Sequence, residues 1–275
     1  MTEFLPLHHA IARFVRRGDS IALEGFTHLI PFAAGHEIIR QQITGLTLIR
    51  MTPDLIYDQM IGAGCARKLV FSWGGNPGVG SLHRLRDAVE HDWPAPLEIE
   101  EHSHAAMASA YAAGAAGLPC GIFRGYLGSE LSRVNPSIRA VTCPFTGERL
   151  AAVPALRPDV TVIHAQKSDR AGNVLISGIV GVQKEAALAA TRAVIVTVEE
   201  VVDNLGTKGT NAVVLPSWTI HAIAEAPGGA RPSYAHGYYQ RDNAFYTAWD
   251  EIARDRERFR AWIDREIMQA PAPVT

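Results

Sequence analysis

An α/β protein built on an open, mostly parallel sheet with helices on both faces is expected for this 275-residue chain from three features. Short apolar runs of strand length alternate with segments of helical periodicity. Glycine or proline punctuates nearly every junction between them. The runs VTVIHA (Val160–Ala165) and AVIVTV (Ala193–Val198) are continuous rather than alternating, as strands buried on both faces of a parallel sheet are.

Taken in order, Leu7, Ile11, Phe14 and Val15 share one helical face, and Gly18 stops that helix. Ser20–Leu23 then reads as a buried strand, broken by Gly25 before a helix over 33–42. In open α/β sheets such a strand–turn–helix places the turn at the carboxyl end of the strand, where backbone N–H groups can face a carbonyl or phosphate. Glycine there admits close backbone approach because it has no Cβ. The rhythm continues through a strand at 46–51, a helix near 54–61, a strand at 68–72, a helix near 82–90 and a strand at 97–100. An alanine-rich helix follows at 105–116, closed by Gly117 and Pro119. Beyond Gly121 the pattern loosens into short strands at 140–142 and 149–153 among Pro136, Pro144, Pro154 and Pro158. The sheet core resumes at Val160, with a helix over 182–190 between its two apolar strands. No linker interrupts the chain, so 1–275 is expected to be one domain with a helical tail at about 242–270. In that tail the many charges are expected to form a solvated face.

Composition narrows the function. The chain is 47% hydrophobic, and 26 Lys+Arg nearly balance 28 Asp+Glu, leaving no global field to draw in nucleic acid or an anionic membrane. Cys65, Cys120 and Cys143 lie far apart, which points neither to a disulfide framework nor to a zinc site. No run reaches the roughly 20 apolar residues of a membrane span. The expectation is a cytoplasmic protein with a small-molecule or protein partner.

Three stretches hold chemistry-bearing residues. FSWGGNPGVGSLHRL (71–85) follows a strand and leads into a helix, yet has neither the Gly-Lys-Ser/Thr of a P-loop nor the dinucleotide fingerprint. It is either a ligand-cradling loop or a tight turn. EEHSHAAMASAY (100–111) places acids, histidines and a serine where a strand passes into a helix. Ser103 is either a helix N-cap or part of a site, and His104 is able to polarise a carboxylate or thioester. Its neighbour His102 lacks the third ligand a metal would need. HAQKSDRAGNV (164–174) reads first as turn chemistry, and Glu199 and Glu200 as general bases or merely solvated strand ends.

Across nearly the whole chain, ALEGFTHLIP, LIRMTPDLIYDQMIGAGCARKLVFSWGGNPGVGSLHRLRDAVE, HSHAAMASAYAAGAAGLP, CPFTGERLAAVPALRPDVTVIHAQKSDRAGNV and APGGARPSYAHGYYQRDN resemble the A subunits of class I coenzyme A-transferases, in the branch related to glutaconate CoA-transferase. The resemblance implies ping-pong transfer of CoA from succinyl-CoA to 3-oxoadipate through an acyl-glutamyl anhydride and a glutamyl-CoA thioester. The nucleophilic glutamate would sit on a partner B subunit in a heterodimer or A2B2 assembly. CoA thioester would be a substrate, with no permanently bound cofactor and no metal. The family's Gly-Gly-Phe turn followed by a proline matches at Gly25, Phe26 and Pro31, with Glu24 in place of the first glycine and the proline one residue early. By this likeness Gly25 and Phe26 offer backbone donors to an oxyanion, and Ser72, Asn76, Ser81, Ser103 and His104 contact the dicarboxylate. Two alternatives stand beside it. One is a thioester hydrolase or ring-opening lyase using Glu24, Glu101 or His104; the other is a non-catalytic scaffold or ligand-binding subunit.

Overall fold

The βα alternation is realised nearly element for element in the computed structural model, which describes residues 2–269 apart from 78, 207, 208 and 210. Residue 78 of the glycine-rich stretch and residue 270 of the tail thus lie outside the described residues. In chain order the elements begin β1 (Glu3–Phe4), α1 (Leu7–Phe14), β2 (Ser20–Glu24), α2 (Phe32–Arg40), β3 (Leu46–Arg50), α3 (Leu55–Gly62), β4 (Ala66–Phe71), α4 (His83–His91), β5 (Glu98–Glu101) and α5 (His104–Ala115). They continue with β6 (Cys120–Phe123), α6 (Leu131–Val134), β7 (Arg139–Thr142), β8 (Arg149–Pro154), β9 (Val160–Asp169), β10 (Val174–Ser177), α7 (Gln183–Ala189), β11 (Ala193–Val202), β12 (Ala212–Leu215), β13 (Ala222–Glu225), α8 (Asn243–Arg254) and α9 (Arg256–Ile263).

Eight strands form a parallel path in the order β1-β13-β11-β9-β2-β3-β4-β5. The strand β10 pairs antiparallel with both β9 and β12, extending the sheet to ten strands. From β2 the chain winds outward through β3, β4 and β5, then returns to the other side of β2 for β9, β11 and β13. Winding therefore reverses at the β2/β9 seam, where Ala22 pairs with Thr161 and Glu24 with Ile163. Ligands of open α/β sheets bind at such reversals, outside the carboxyl ends of the strands.

The proline-interrupted stretch forms a separate antiparallel sheet, β6-β8-β7, with its own small core of Ala106, Ala110, Ile138, Ala151 and Val153. Prolines confine those strands to a few residues because they remove ladder donors. Strands β1, β6, β10, β12 and β13, each two to four residues long, carry too little pattern to be read in advance.

The tail differs from its expectation. Tyr246, Trp249, Phe259, Trp262, Ile263 and Ile267 are buried in the same cluster as Leu55, Tyr57 and Met60 of α3, so only the outer faces of α8 and α9 are solvated. Arg256 Nε and Nη2 clamp Asp87 of α4, both at 2.7 Å, and Trp249 Nε1 donates to the buried Asp58 at 2.9 Å. The charges read as a water-facing stripe thus serve partly to dock these helices.

Candidate active site

The turn after β2 occupies the winding reversal, and close packing dictates its glycine. A Cβ on Gly25 would lie 2.6 Å from the Leu29 carbonyl oxygen, inside any tolerable contact. Thr27 (φ 61°) and Leu29 (φ 52°) take left-handed backbone angles that cost non-glycine residues of the order of 1 kcal/mol each. Surrounding contacts hold the turn in that shape. The Leu29 N–H donates to Tyr234 O at 2.9 Å, and His28 stacks on the Tyr234 ring at 4.9 Å. His28 Nε2 donates to Ile179 O at 2.6 Å, while burial pushes the imidazole below its ordinary pKa.

Beneath the turn lies a buried polar network that joins β2, β3, α3 and α5. Glu24 Oε1 accepts from the Met51 N–H at 3.1 Å and from Tyr111 Oη of α5 at 2.8 Å. Burial raises its pKa from 4.5 to about 7, against the opposing pull of Arg50, Tyr111 and Met51. Glu24 is 2% exposed, so it braces the turn against β3 and α5 rather than facing a ligand. Arg50, 1% exposed, donates through Nη2 to Gly25 O at 3.0 Å and through Nη1 to Asp54 Oδ1 at 3.1 Å. The Tyr57 hydroxyl closes the network, donating to Ile49 O at 2.8 Å and accepting the Leu23 N–H at 3.1 Å.

The other expected site residues separate into two groups. Ser72 and His104 meet at the ends of β4 and β5, with Ser72 Oγ 3.2 Å from His104 Nδ1, and His104 is exposed. Ser72 Oγ also donates to Met51 O at 2.5 Å, which sets this pair beside the end of β3. Ser103 caps α5 by accepting the Ala106 N–H at 3.2 Å, the N-cap reading, and its own N–H is engaged by Tyr126 Oη. Asn76 is buried and donates to Tyr246 O at 2.8 Å, tying the glycine-rich loop to α8. Ser81 is half-buried where that loop enters α4.

A pocket of about 150 Å³ opens against the turn, lined by Phe26, Thr27, Arg50, Asp54, Arg241 and Tyr246 among others. Of these residues only Phe26 was expected in the site from the sequence. The signal for Arg50 was a cation closing an otherwise apolar strand with Asp54 four residues on; Arg241 lay in the block APGGARPSYAHGYYQRDN, marked by the family resemblance alone with no role attached.

Glu199 is no free base. Its carboxylate accepts from His164 Nε2 at 2.6 Å, Tyr239 Oη at 2.5 Å and the Gly228 N–H at 2.7 Å. Burial pushes its pKa up, but these donors outweigh burial and hold it below the usual carboxylate value. The Asp169–Asn173 segment is turn chemistry, with Asp169 Oδ1 accepting the Asn173 N–H at 2.8 Å. Among the described residues no group of three His, Cys, Asp or Glu side chains is placed to hold a metal ion, and no helix is long and apolar enough to cross a membrane.

Residues 5–226 match the family model described as coenzyme A transferase. The chain belongs to the coenzyme A transferase family. The A subunit of 3-oxoadipate CoA-transferase from Pseudomonas knackmussii is 68% identical to this transferase chain over 267 residues, 97% of it and 94% of the relative. The A subunit of glutaconate CoA-transferase from Acidaminococcus fermentans is 32% identical over 95% of this chain and 87% of its own. The crystal structure of that glutaconate CoA-transferase superimposes with a TM-score of 0.90 at 31% identity, covering 99% of this chain and 90% of the other. The decarboxylase AibA/AibB follows at a TM-score of 0.80 and 30% identity, over 96% and 99% of the respective chains. The transferase fold is thus the doubly covered parallel sheet expected from the sequence.

Proposed function

We propose that this chain is the A subunit of a two-subunit CoA-transferase that moves CoA from succinyl-CoA to 3-oxoadipate in aromatic-compound catabolism in the cytoplasm. The observation that carries this reading is 68% identity, sustained over 97% of the chain, to a 3-oxoadipate CoA-transferase A subunit. Residues 1–275 act as one A-subunit unit, and the nucleophilic glutamate belongs to a B subunit.

In this reading the glutamate carboxylate attacks the succinyl thioester carbonyl and expels CoA thiolate, leaving a succinyl-glutamyl anhydride. The thiolate attacks the glutamyl carbonyl, releasing succinate and leaving glutamyl-CoA. A carboxylate of 3-oxoadipate repeats the sequence in reverse and regenerates the glutamate. Each attack builds negative charge on a carbonyl oxygen. Fixed N–H donors at Gly25 and Phe26 stabilise it, each by about 3 kcal/mol. Their rigidity is the contribution of Arg50, Glu24 and the close Gly25–Leu29 packing. Ser72 and His104, at the adjacent strand ends, contact the acid.

Succinyl-CoA and 3-oxoadipate supplied to the purified chain, with and without its B partner, test the assignment. Turnover is expected only from the mixture, with the two chains co-migrating in native mass spectrometry. Substantial transfer by this chain alone would overturn the division of labour, and a mixture that hydrolyses the thioester without making 3-oxoadipyl-CoA would overturn the transferase reading.

A further inference from the structure

The geometry points to a carboxylate subsite, built by Arg241 with Arg50 in the pocket beside the Gly25–Phe26 turn, that takes the far carboxylate of the acyl group. The inference rests on the proposed transferase reading and specifies which end of the acid binds where.

Arg241 stands just before α8, on no strand end, yet it reaches the pocket because its guanidinium is fixed on two sides. Nη2 donates to Pro77 O at 2.6 Å, and the guanidinium carbon lies 3.8 Å from the Tyr246 ring centroid. Stacking and one carbonyl orient the fork without neutralising it. Among the described residues no carboxylate forms an ion pair with Arg241, and its buried Nε has no hydrogen-bond partner. The Nε of Arg50 is likewise buried and without a described partner, although Asp54 and Gly25 take its other nitrogens. Buried donors left unmatched are costly, and a charged donor most of all.

The charge balance agrees. The pocket wall carries two guanidiniums and one carboxylate, that of Asp54. Glu24 lies behind Arg50 beneath the turn, and burial keeps much of it protonated near neutrality. A second carboxylate brought in by a ligand completes the pairing. Phe26, Ile30, Trp73, Pro77 and the Tyr246 ring supply apolar wall with Thr27 and Thr52 beside them, and about 150 Å³ accommodates a short carboxyalkyl arm but not a pantetheine chain. Both succinyl and 3-oxoadipyl groups end in CH2–CH2–COO⁻. With that end on Arg241, the thioester end is directed back toward Phe26, a wall residue and a member of the turn at once.

Calorimetric titration of the assembled two-subunit enzyme with adipate and with hexanoate tests the subsite without turnover. Adipate is expected to bind at least about 10-fold more tightly than hexanoate, with Arg241→Leu abolishing the difference and Arg241→Lys keeping part of it. In activity, the ratio of kcat/KM for 3-oxoadipate to that for 3-oxohexanoate should fall about 10- to 100-fold in Arg241→Leu. Equal binding of adipate and hexanoate by the wild type would overturn the subsite even if the leucine variant fails to fold. So would an undiminished adipate preference in Arg241→Leu. If the wild type transfers CoA equally well to both oxo acids, the subsite falls and the transferase stands. If it binds adipate through Arg241 yet transfers no CoA, the subsite stands and the transferase reading falls.

Discussion

Glu24 shows how one side chain carries different meanings in sequence and in space. On the page it is an acid where the family turn has a glycine; in the fold it is a buried brace between β2, β3 and α5. Its folded pKa of about 7 lies above the ordinary 4.5, so the native state holds the proton longer than the unfolded chain does. The stabilisation linked to that proton is complete below pH 4.5 and is lost as pH rises through 7, a change of about 3 kcal/mol for this group. Arg50, Tyr57 and Tyr111 face it, and the lowering pull of Arg50 and Tyr111 does not change this sign. Glu24→Gln retains an acceptor for Met51 and cannot ionise. Urea unfolding at pH 5 and pH 7.5 should therefore show the variant gaining on the wild type by up to that amount at the higher pH; parallel profiles would contradict the assignment. Gly25 is legible from sequence as a place where a missing Cβ matters, and the structure shows that absence used in packing the turn against Leu29 O. Gly25→Ala should destabilise the protein by about 2 kcal/mol and, under the proposed mechanism, lower kcat more than it raises KM, because the proposed N–H donors move while the pocket persists. An alanine variant with wild-type kcat would show that the turn tolerates the shift.

At the scale of elements, the strands that build the sheet centre were readable because burial on both faces leaves continuous apolar runs. The turn and the helix ends were readable from glycine, proline and serine, Ser103 being a true N-cap. What escaped was the use made of α8 and α9. Their periodicity was visible, but a helix's neighbour is not a local property, and their charges gave no sign that Arg256 would clamp Asp87. Trp249, fully buried against α3 and α4, is expected to be worth about 4 kcal/mol, so Trp249→Ala should lower the melting temperature by about 10 °C in a calorimetric scan. A shift of under 3 °C would mean that these helices are peripheral. Asn76 belongs to the same docking. Asn76→Ala should cost about 1–2 kcal/mol through the lost bond to Tyr246 O and raise KM for the acid, because Arg241, which leans on Pro77 of the same loop, loosens with it. If stability is untouched while binding collapses, Asn76 contacts the ligand directly.

For the molecule as a whole, winding reversal at the β2/β9 seam gathers residues from four strand ends onto one edge, and that edge carries some of the large apolar side chains left in the open, although Phe145 and Trp218 elsewhere are more exposed. Trp73, Ile179 and Tyr238 are 46%, 50% and 38% exposed around the turn and its supporting loops. In the proposed assembly these loops meet the B subunit. Amide hydrogen exchange at 25–31, 72–77 and 232–241 should slow when the partner is added, while exchange in the β6-β8-β7 sheet should not. Unchanged exchange at the strand-end loops would place the interface elsewhere. The chain's alternation, its continuous apolar strands and its glycine-centred turn follow from local steric and hydrophobic rules, so they could be read residue by residue. The pocket could not: Arg50 and Arg241 stand 191 positions apart and meet only because α8 folds back over the glycine-rich loop. Such pairing depends on which long-range contacts bury the most apolar surface, a property of the packed chain that no local window contains.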